Sequence, residues 1–249
     1  MPRFFVRRDQ INGNTVTILG DDARHISRSL RMAVGEHITV CDMQSVEYEC
    51  QLTAFLPEAV EAEVLSSRQS NTEPPYKVTL YQALPKGDKL DTVIQKSVEC
   101  GVYEIATFVS ERCIARESSR EENKLSRRQR ISLEAAKQSG RGVIPEVKPT
   151  VSFAEMLRSA AESDIPLICY EGDGTVSIKS ALREARAVIG DKECPTVSLV
   201  IGSEGGFSIK EVEEARAAGL IPVGLGKRIL RTETAPLVAL SALIFEFEL

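Results

Sequence analysis

Histidine is almost missing from this sequence: only His25 and His37 occur. Ligand supply alone therefore argues against a histidine-rich metal centre, and no resident metal is expected. The six cysteines (Cys41, Cys50, Cys100, Cys113, Cys169 and Cys194) form no CxxC pair and show no repeated spacing. In a chain of 249 residues they read as buried thiols, not as a zinc site or a disulfide framework. No apolar run approaches the roughly 18 residues that a membrane span requires. The opening MPRFFVRRDQ carries charge but lacks the apolar core of a signal peptide, so a cytoplasmic location is expected. No internal repeat is visible.

What is present suits a soluble globular chain: 43% hydrophobic and 27% charged residues, with length enough for one large domain or two. The net charge of −5 argues against indiscriminate nucleic-acid binding, yet the charge is unevenly spread. Six Arg stand against three Asp between Met1 and Arg31, and ten Lys or Arg against five Glu between Arg112 and Lys148. From Pro149 to Ala215 the balance reverses, with six basic residues against twelve acidic. Local basic patches on an acidic body let a protein bind a polyanion at chosen places.

The pattern changes along the chain. NTVTIL, EHITVCD, VEYECQLTAFL and AVEAEVL alternate with a period of two, which predicts a small barrel-like β domain. One helical piece interrupts it, DDARHISRSLRM, with Arg24, Arg28 and Arg31 spaced i, i+4 and i+7, and Ala23, Ile26 and Leu30 opposite. His25 lies beside Arg28, and Arg3, Arg7 and Arg8 are near in sequence; a solvated helix and a phosphate-gripping face both fit. SSRQSNTEPPYK, Ser66 to Lys77, reads as a linker. Beyond it, strands (KVTLYQAL, EIATFVS, PLICYE, TVSLVIG, IPVGLG) alternate with helices, implying an α/β domain with a mostly parallel sheet. The charged stretch Asn123 to Ser139 reads as a long helix with a largely solvated face. The apolar APLVALSALIFEFEL reads as a buried closing helix.

Two loops carry the chemistry. In VIGSEGGFSIKEVEEA, Ser208 and Glu211 form an S-x-x-E capping box, and Phe207 and Val212 occupy the hydrophobic-staple positions. IGSEGGF is thus a turn from a buried strand into a well-capped helix, where ligands bind in open α/β sheets. Its G-x-x-G-G spacing matches neither GxGxxG nor a P-loop, and Glu204 would repel a pyrophosphate. A cationic or neutral ligand suits it better, although a tight turn that needs small residues explains the glycines as well. The second loop, GLGKRILRTETAPL, also follows a strand and combines glycines with Arg228, Arg231, Thr232, Glu233 and Thr234. Pro236 fits the first turn of the closing helix, with Thr234 as candidate cap.

IGSEGGFSIKE and LGKRILRTETAPL, together with LPKGDKLDTVIQKSVECGV, EAAKQSGRGVIPEV and HISRSLRM, closely resemble the RsmE family of the SPOUT superfamily. The resemblance spans nearly the whole chain. Ser203 is its one noted departure, standing where the commoner family form has proline; loop stiffness changes, but the glycines remain. Members methylate uridine N3 in 16S ribosomal RNA with S-adenosylmethionine. The resemblance implies a PUA-like β-barrel over 1–72, then an α/β domain over 73–249 whose C-terminal part is a deep trefoil knot. It implies a homodimer, with RNA contacted by both subunits.

For the cofactor, the resemblance implies three loops: Tyr170 and Glu171; Ile201, Gly202, Ser203, Gly205 and Gly206; and Leu225, Gly226, Ile229, Leu230, Thr234 and Ala235. A sulfonium is positive, which removes the objection to Glu204. Uracil N3–H is a weak acid, so the site must accept its proton or stabilise the anion. Arg231 is the candidate for the anion, and Glu204 or Glu233 for positioning or proton acceptance; bracing of their own loop is an equal alternative for both glutamates. RNA candidates are Arg3, Arg7, Arg8, Arg24, His25, Arg28 and Arg31 in the first domain, and Lys86, Lys89, Lys96, Arg112, Gln138 and Arg141 in the second. Competing readings are a related SPOUT enzyme acting on a ribose 2′-hydroxyl and an RNA-binding ribosome assembly factor without turnover.

Overall fold

The computed structural model of the chain describes residues 1–114 and 121–249; Arg116 and Arg120, two members of the basic stretch, lie outside the described residues. Two compact units are present, Met1–Glu73 with Ala136–Ile144, and Pro74–Ala135 with Pro145–Leu249.

The first unit holds β1 (Arg3–Phe5), β2 (Ile11–Asn12), β3 (Thr15–Leu19), α1 (Gly20–Arg24), β4 (His37–Cys41), β5 (Val46–Phe55) and β6 (Ala59–Gln69). They form one six-stranded sheet in the order β1-β4-β5-β6-β3-β2, with β1 parallel to β4 and the other pairs antiparallel. Alternation decides which face is inward: Val16 and Ile18, Ile38 and Val40, Cys50 and Leu52, and Val60 and Ala62 all enter one core with Phe4 and Ile26. The stretch read as a linker begins later than the sequence suggests. Ser66–Gln69 continue β6, because Ser67, Arg68 and Gln69 pair with Tyr48, Glu47 and Val46.

The helical piece is also corrected. α1 passes directly into a π-helical turn at His25–Ser29. The wider turn rotates later residues off the face predicted by i, i+4 and i+7 spacing. Ala23 and Ile26 stay buried, but Leu30 is 41% exposed and Arg31 leaves the helix with φ of +52°.

The second unit contains β7 (Lys77–Ala83), α2 (Lys89–Glu99), β8 (Glu104–Val109), most of α3 (Glu121–Ser139), β9 (Glu146–Ser152), α4 (Phe153–Ala161), β10 (Ile165–Cys169), β11 (Val176–Ser177), α5 (Ile178–Ile189), β12 (Thr196–Ile201), α6 (Ile209–Ala217), β13 (Ile221–Gly224) and α7 (Ala235–Phe247). Among the described residues its seven strands are all parallel, in the order β11-β13-β10-β12-β7-β8-β9. Helices cover the faces, so central strands are apolar on both sides: Val197, Leu199, Val200 and Ile201 of β12 are all buried. α2 buries Leu90, Val93, Ile94 and Val98 and stops at Gly101, whose φ of +86° suits the position after a helix C-terminus. α7 is buried on one side only: Ala239, Leu240 and Leu243 are enclosed, while Phe245 is 72% exposed.

Among the described residues no helix is long and apolar enough to cross a membrane. Of the cysteines, Cys41, Cys50 and Cys169 are buried, and burial pushes the Cys169 thiol up to about 12. Cys100 and Cys113 are only partly covered and Cys194 is exposed, so the reading of six buried thiols holds for half of them. Cys194 lies between α5 and β12, where the sheet core does not reach.

Candidate functional site

β10, β12 and β13 lie side by side, and the loops at their C-terminal ends enclose a cavity of about 440 Å³. That is within the range of small-molecule sites. The loop after β12 is held from behind by its helix. The Ser208 hydroxyl accepts from Glu211 N at 3.2 Å, and a Glu211 oxygen accepts from Ser208 N at 2.9 Å. Phe207 and Val212 are buried in one core, completing the staple. Glu211 also accepts from Glu111 N at 2.8 Å, and the Ser208 hydroxyl donates to Glu111 at 2.8 Å.

The glycines of this loop have separate reasons. Gly206 has φ of +62°, and a Cβ there would stand 2.5 Å from Glu171 Oε1. A Cβ on Gly202 would press at 3.3 Å on Gly206 Cα and on the Phe207 ring. Gly205 turns away from the cavity: its carbonyl accepts from Arg112 at 3.0 Å, and a Cβ would meet Arg112 Cβ at 2.9 Å. Of the expected cofactor residues, Tyr170, Glu171, Ile201, Gly202, Ser203, Gly206, Leu225, Gly226, Ile229, Leu230 and Ala235 line the cavity; Gly205 and Thr234 are not among its lining. Thr234 occupies the N-cap position of α7 but makes no side-chain capping bond.

Two residues that were not assigned a site role join the loops. Gln82, at the end of β7 and fully buried, donates through Nε2 to the Gly202 carbonyl at 3.3 Å and to the Thr232 hydroxyl at 3.0 Å. Thr232, 5% exposed, donates in turn to the Gly202 carbonyl at 2.7 Å. One amide and one hydroxyl thus tie the loop after β12 to the loop after β13. Thr232 lies inside RTETA, so its motif pointed to it; Gln82 belongs to a strand of ordinary appearance, and only three-dimensional proximity identifies it.

The charges gather at one rim. Lys89, the first residue of α2, lines the cavity; its ammonium donates to Glu204 Oε1 at 2.7 Å and lies 3.9 Å from Glu233 Oε2. Glu204 Oε1 also accepts from Lys86 N at 3.1 Å. Burial disfavours the ionised carboxyl of Glu204, but the bonds from Lys89 and Lys86 outweigh it and hold the carboxyl below its ordinary value. Such a carboxylate is a weak base. Glu233 does not line the cavity, and its Oε2 is buried without a hydrogen-bond partner among the described residues. The Arg231 side chain is 83% exposed and 3.9 Å from Glu233.

Several RNA candidates are committed elsewhere. Arg3 donates to buried Glu47 at 2.8 Å and to the Arg141 carbonyl at 3.2 Å. Arg141, itself buried, grips both oxygens of Glu73, with the closest contact at 2.6 Å. These two guanidiniums staple the first unit and are not available to phosphates. Arg7 is exposed beside Asp9, Arg8 bonds Gln44, and Arg24 pairs with Asp21. His25, Arg28, Arg31, Lys86, Arg112 and Gln138 are exposed, and Lys96 bonds Glu99 at 2.8 Å. Among the described residues no group of three or more His, Cys, Asp or Glu side chains could hold a metal ion.

Residues 72–244 match the model of the RNA methyltransferase domain. Over its full length the chain is 34% identical to the ribosomal RNA small subunit methyltransferase E of Bacillus subtilis, covering 98% of that protein. The crystal structure of the enzyme of that name from Neisseria gonorrhoeae, bound to S-adenosyl methionine, superposes with a TM-score of 0.84 at 34% identity, covering 98% of this chain and 97% of that one. A methyltransferase from Legionella pneumophila in complex with bound SAM gives a TM-score of 0.84 at 30% identity, covering 98% and 96%.

Proposed function

Because the chain belongs to the ribosomal RNA small subunit methyltransferase E family, we propose that it transfers a methyl group from S-adenosylmethionine to N3 of a uridine in 16S ribosomal RNA. The observation that carries this reading is the glycine-lined cavity at the strand ends, with its charged residues collected at one rim. When bound there, the cofactor supplies an electrophilic methyl on a positively charged sulfur. The residues fit such a group. Small residues bring backbone into reach, the Ser203 hydroxyl is buried with no hydrogen-bond partner among the described residues, and Ile229, 86% exposed on the cavity wall, offers apolar surface to an adenine face. Glu171 beside Gly206 puts a carboxylate on the wall, favourable toward a cation and unfavourable toward a pyrophosphate.

The cavity holds the methyl donor, and a uridine turned out of its stack brings N3 to the rim. Arg231, free to swing, meets the base or its phosphate, while Glu204 braces Lys86 and Lys89 in place. We take the first unit as a PUA-like barrel for RNA and the second as a knotted SPOUT domain, supported by the strand order that places β10 between β13 and β12. The exposed Phe245 and Val238 on α7 suit a homodimer contact.

Calorimetry with S-adenosylmethionine, followed by nucleoside analysis of RNA treated with enzyme and labelled cofactor, tests the proposal. N3-methyluridine is the expected product. Label on a ribose 2′-oxygen would overturn the N3 assignment, and absence of cofactor binding would favour an assembly factor without turnover.

A further inference from the structure

We infer that Lys89 is a catalytic residue: its ammonium faces the reacting uracil and stabilises the negative charge that develops as N3 loses its proton. The inference rests on the N3 reading above and adds a residue whose sequence context suggested only an RNA contact.

Position is the first argument. Lys89 lines the cavity that would hold the methyl donor, and it shares that rim with Glu204 and Arg231. The second is local energetics. Lys89 is the first residue of α2, where the helix dipole presents positive charge and a cation is unfavourable; a lysine in that place needs another reason. The third is how it is held. An ammonium has three N–H donors, and among the described residues its hydrogen-bond partner is Glu204 alone, at 2.7 Å. Glu233 stands behind it at 3.9 Å. One donor fixes the group and the others remain for a ligand. Arg231, by contrast, is 83% exposed, and among the described residues a 3.9 Å contact with Glu233 is its one ion pair. Fixed donors stabilise a developing charge better than mobile ones, because no reorganisation accompanies the reaction.

Glu204 Oε1 already accepts from Lys89 and from Lys86 N, bonds that hold the carboxyl below its ordinary value and make it a poor base for this proton, and Glu233 does not line the cavity. The N3 proton passes to solvent water. Uracil N3 forms a bond to the methyl carbon, the carbon–sulfur bond breaks with its electron pair moving to sulfur, and a neutral thioether leaves. Before that bond forms, the N3 charge is shared with the uracil oxygens, which accept a charge-assisted hydrogen bond from Lys89.

The test compares Lys89→Met with the wild type on two RNAs, one normal and one in which 5-fluorouracil replaces uracil. Fluorine acidifies N3–H without removing any phosphate. On normal RNA, kcat should fall about 100-fold, as when one oxyanion donor is removed, while S-adenosylmethionine affinity by calorimetry stays within about threefold. On fluorinated RNA the loss should shrink to about tenfold, since an anion that forms more readily needs less help. Lys89→Gln, which keeps a hydrogen bond toward Glu204, provides the same comparison if the methionine variant binds cofactor poorly. Equal losses on both RNAs, or a loss confined to RNA affinity, would make Lys89 an anchor and overturn the inference while the wild type still forms N3-methyluridine. A wild-type product methylated elsewhere would overturn the proposed function and this inference together.

Discussion

At the scale of single residues, the site depends on a few atoms that do not themselves react. Thr232 contributes one hydroxyl, yet that hydroxyl closes the triangle with Gln82 and the Gly202 carbonyl that joins two cavity loops. Thr232→Val keeps the shape and removes the bonds. It should destabilise the fold by about 2 kcal/mol, the cost of stranding buried polar partners. S-adenosylmethionine affinity should fall about tenfold, because the loops lose their mutual register. Urea denaturation and calorimetry check the two effects, and unchanged affinity would reduce the triangle to ordinary packing. Arg231→Ala should behave differently. Its side chain is mostly exposed, so stability should hold within about 0.5 kcal/mol, and methyl transfer and RNA binding should fall together, as for a mobile cation that anchors the substrate. A loss of methyl transfer far beyond the loss of RNA binding would give Arg231 a share in stabilising the uracil anion.

At the scale of elements, the turn from α4 to β10 gives a pH-dependent expectation. Asp164 accepts from Thr196 N and Oγ1, each at 2.8 Å, and from Lys192, which fastens the start of β10 to the start of β12. The bond from Lys192 and then those from Thr196 hold the Asp164 carboxyl down at about 2. A depressed carboxyl stabilises the fold above its unfolded value of about 4 and loses that contribution as pH falls toward 2. Asp164→Asn should therefore lower the urea midpoint at pH 6 and converge on the wild type near pH 2; a constant difference across that range would refute the linkage. The capping box at Ser208 and the alternating strands were legible because their signals lie within a few residues. The π turn at His25–Ser29 was not, since helical spacing looks the same until one residue too many enters the turn. Arg3 and Arg141 looked like phosphate ligands for a related reason: their partners, Glu47 and Glu73, are 44 and 68 positions away. Arg3→Met should cost about 3 kcal/mol, because Glu47 stays buried with part of its compensation gone.

At the scale of the molecule, the division into two units predicts that the two binding functions can be separated. Glycine loops, the Gln82–Thr232 tie and the Lys89 rim all belong to the second unit, and nothing in that list requires a residue of Met1–Glu73. The exposed cations Arg28 and Arg31 belong to the first, one in the π turn and the other just beyond it at positive φ. If they contact RNA, each does so as a charge on a phosphate and not as a reader of bases, since counterion release depends on charge alone. Replacing both with glutamine should weaken RNA binding and reduce the slope of log affinity against log salt by about 1.5, the sum for two phosphate contacts. S-adenosylmethionine binding, measured on the same protein, should not change. An unaltered salt slope would remove the π-turn cations from the RNA surface. Loss of cofactor affinity would show instead that the units are energetically coupled.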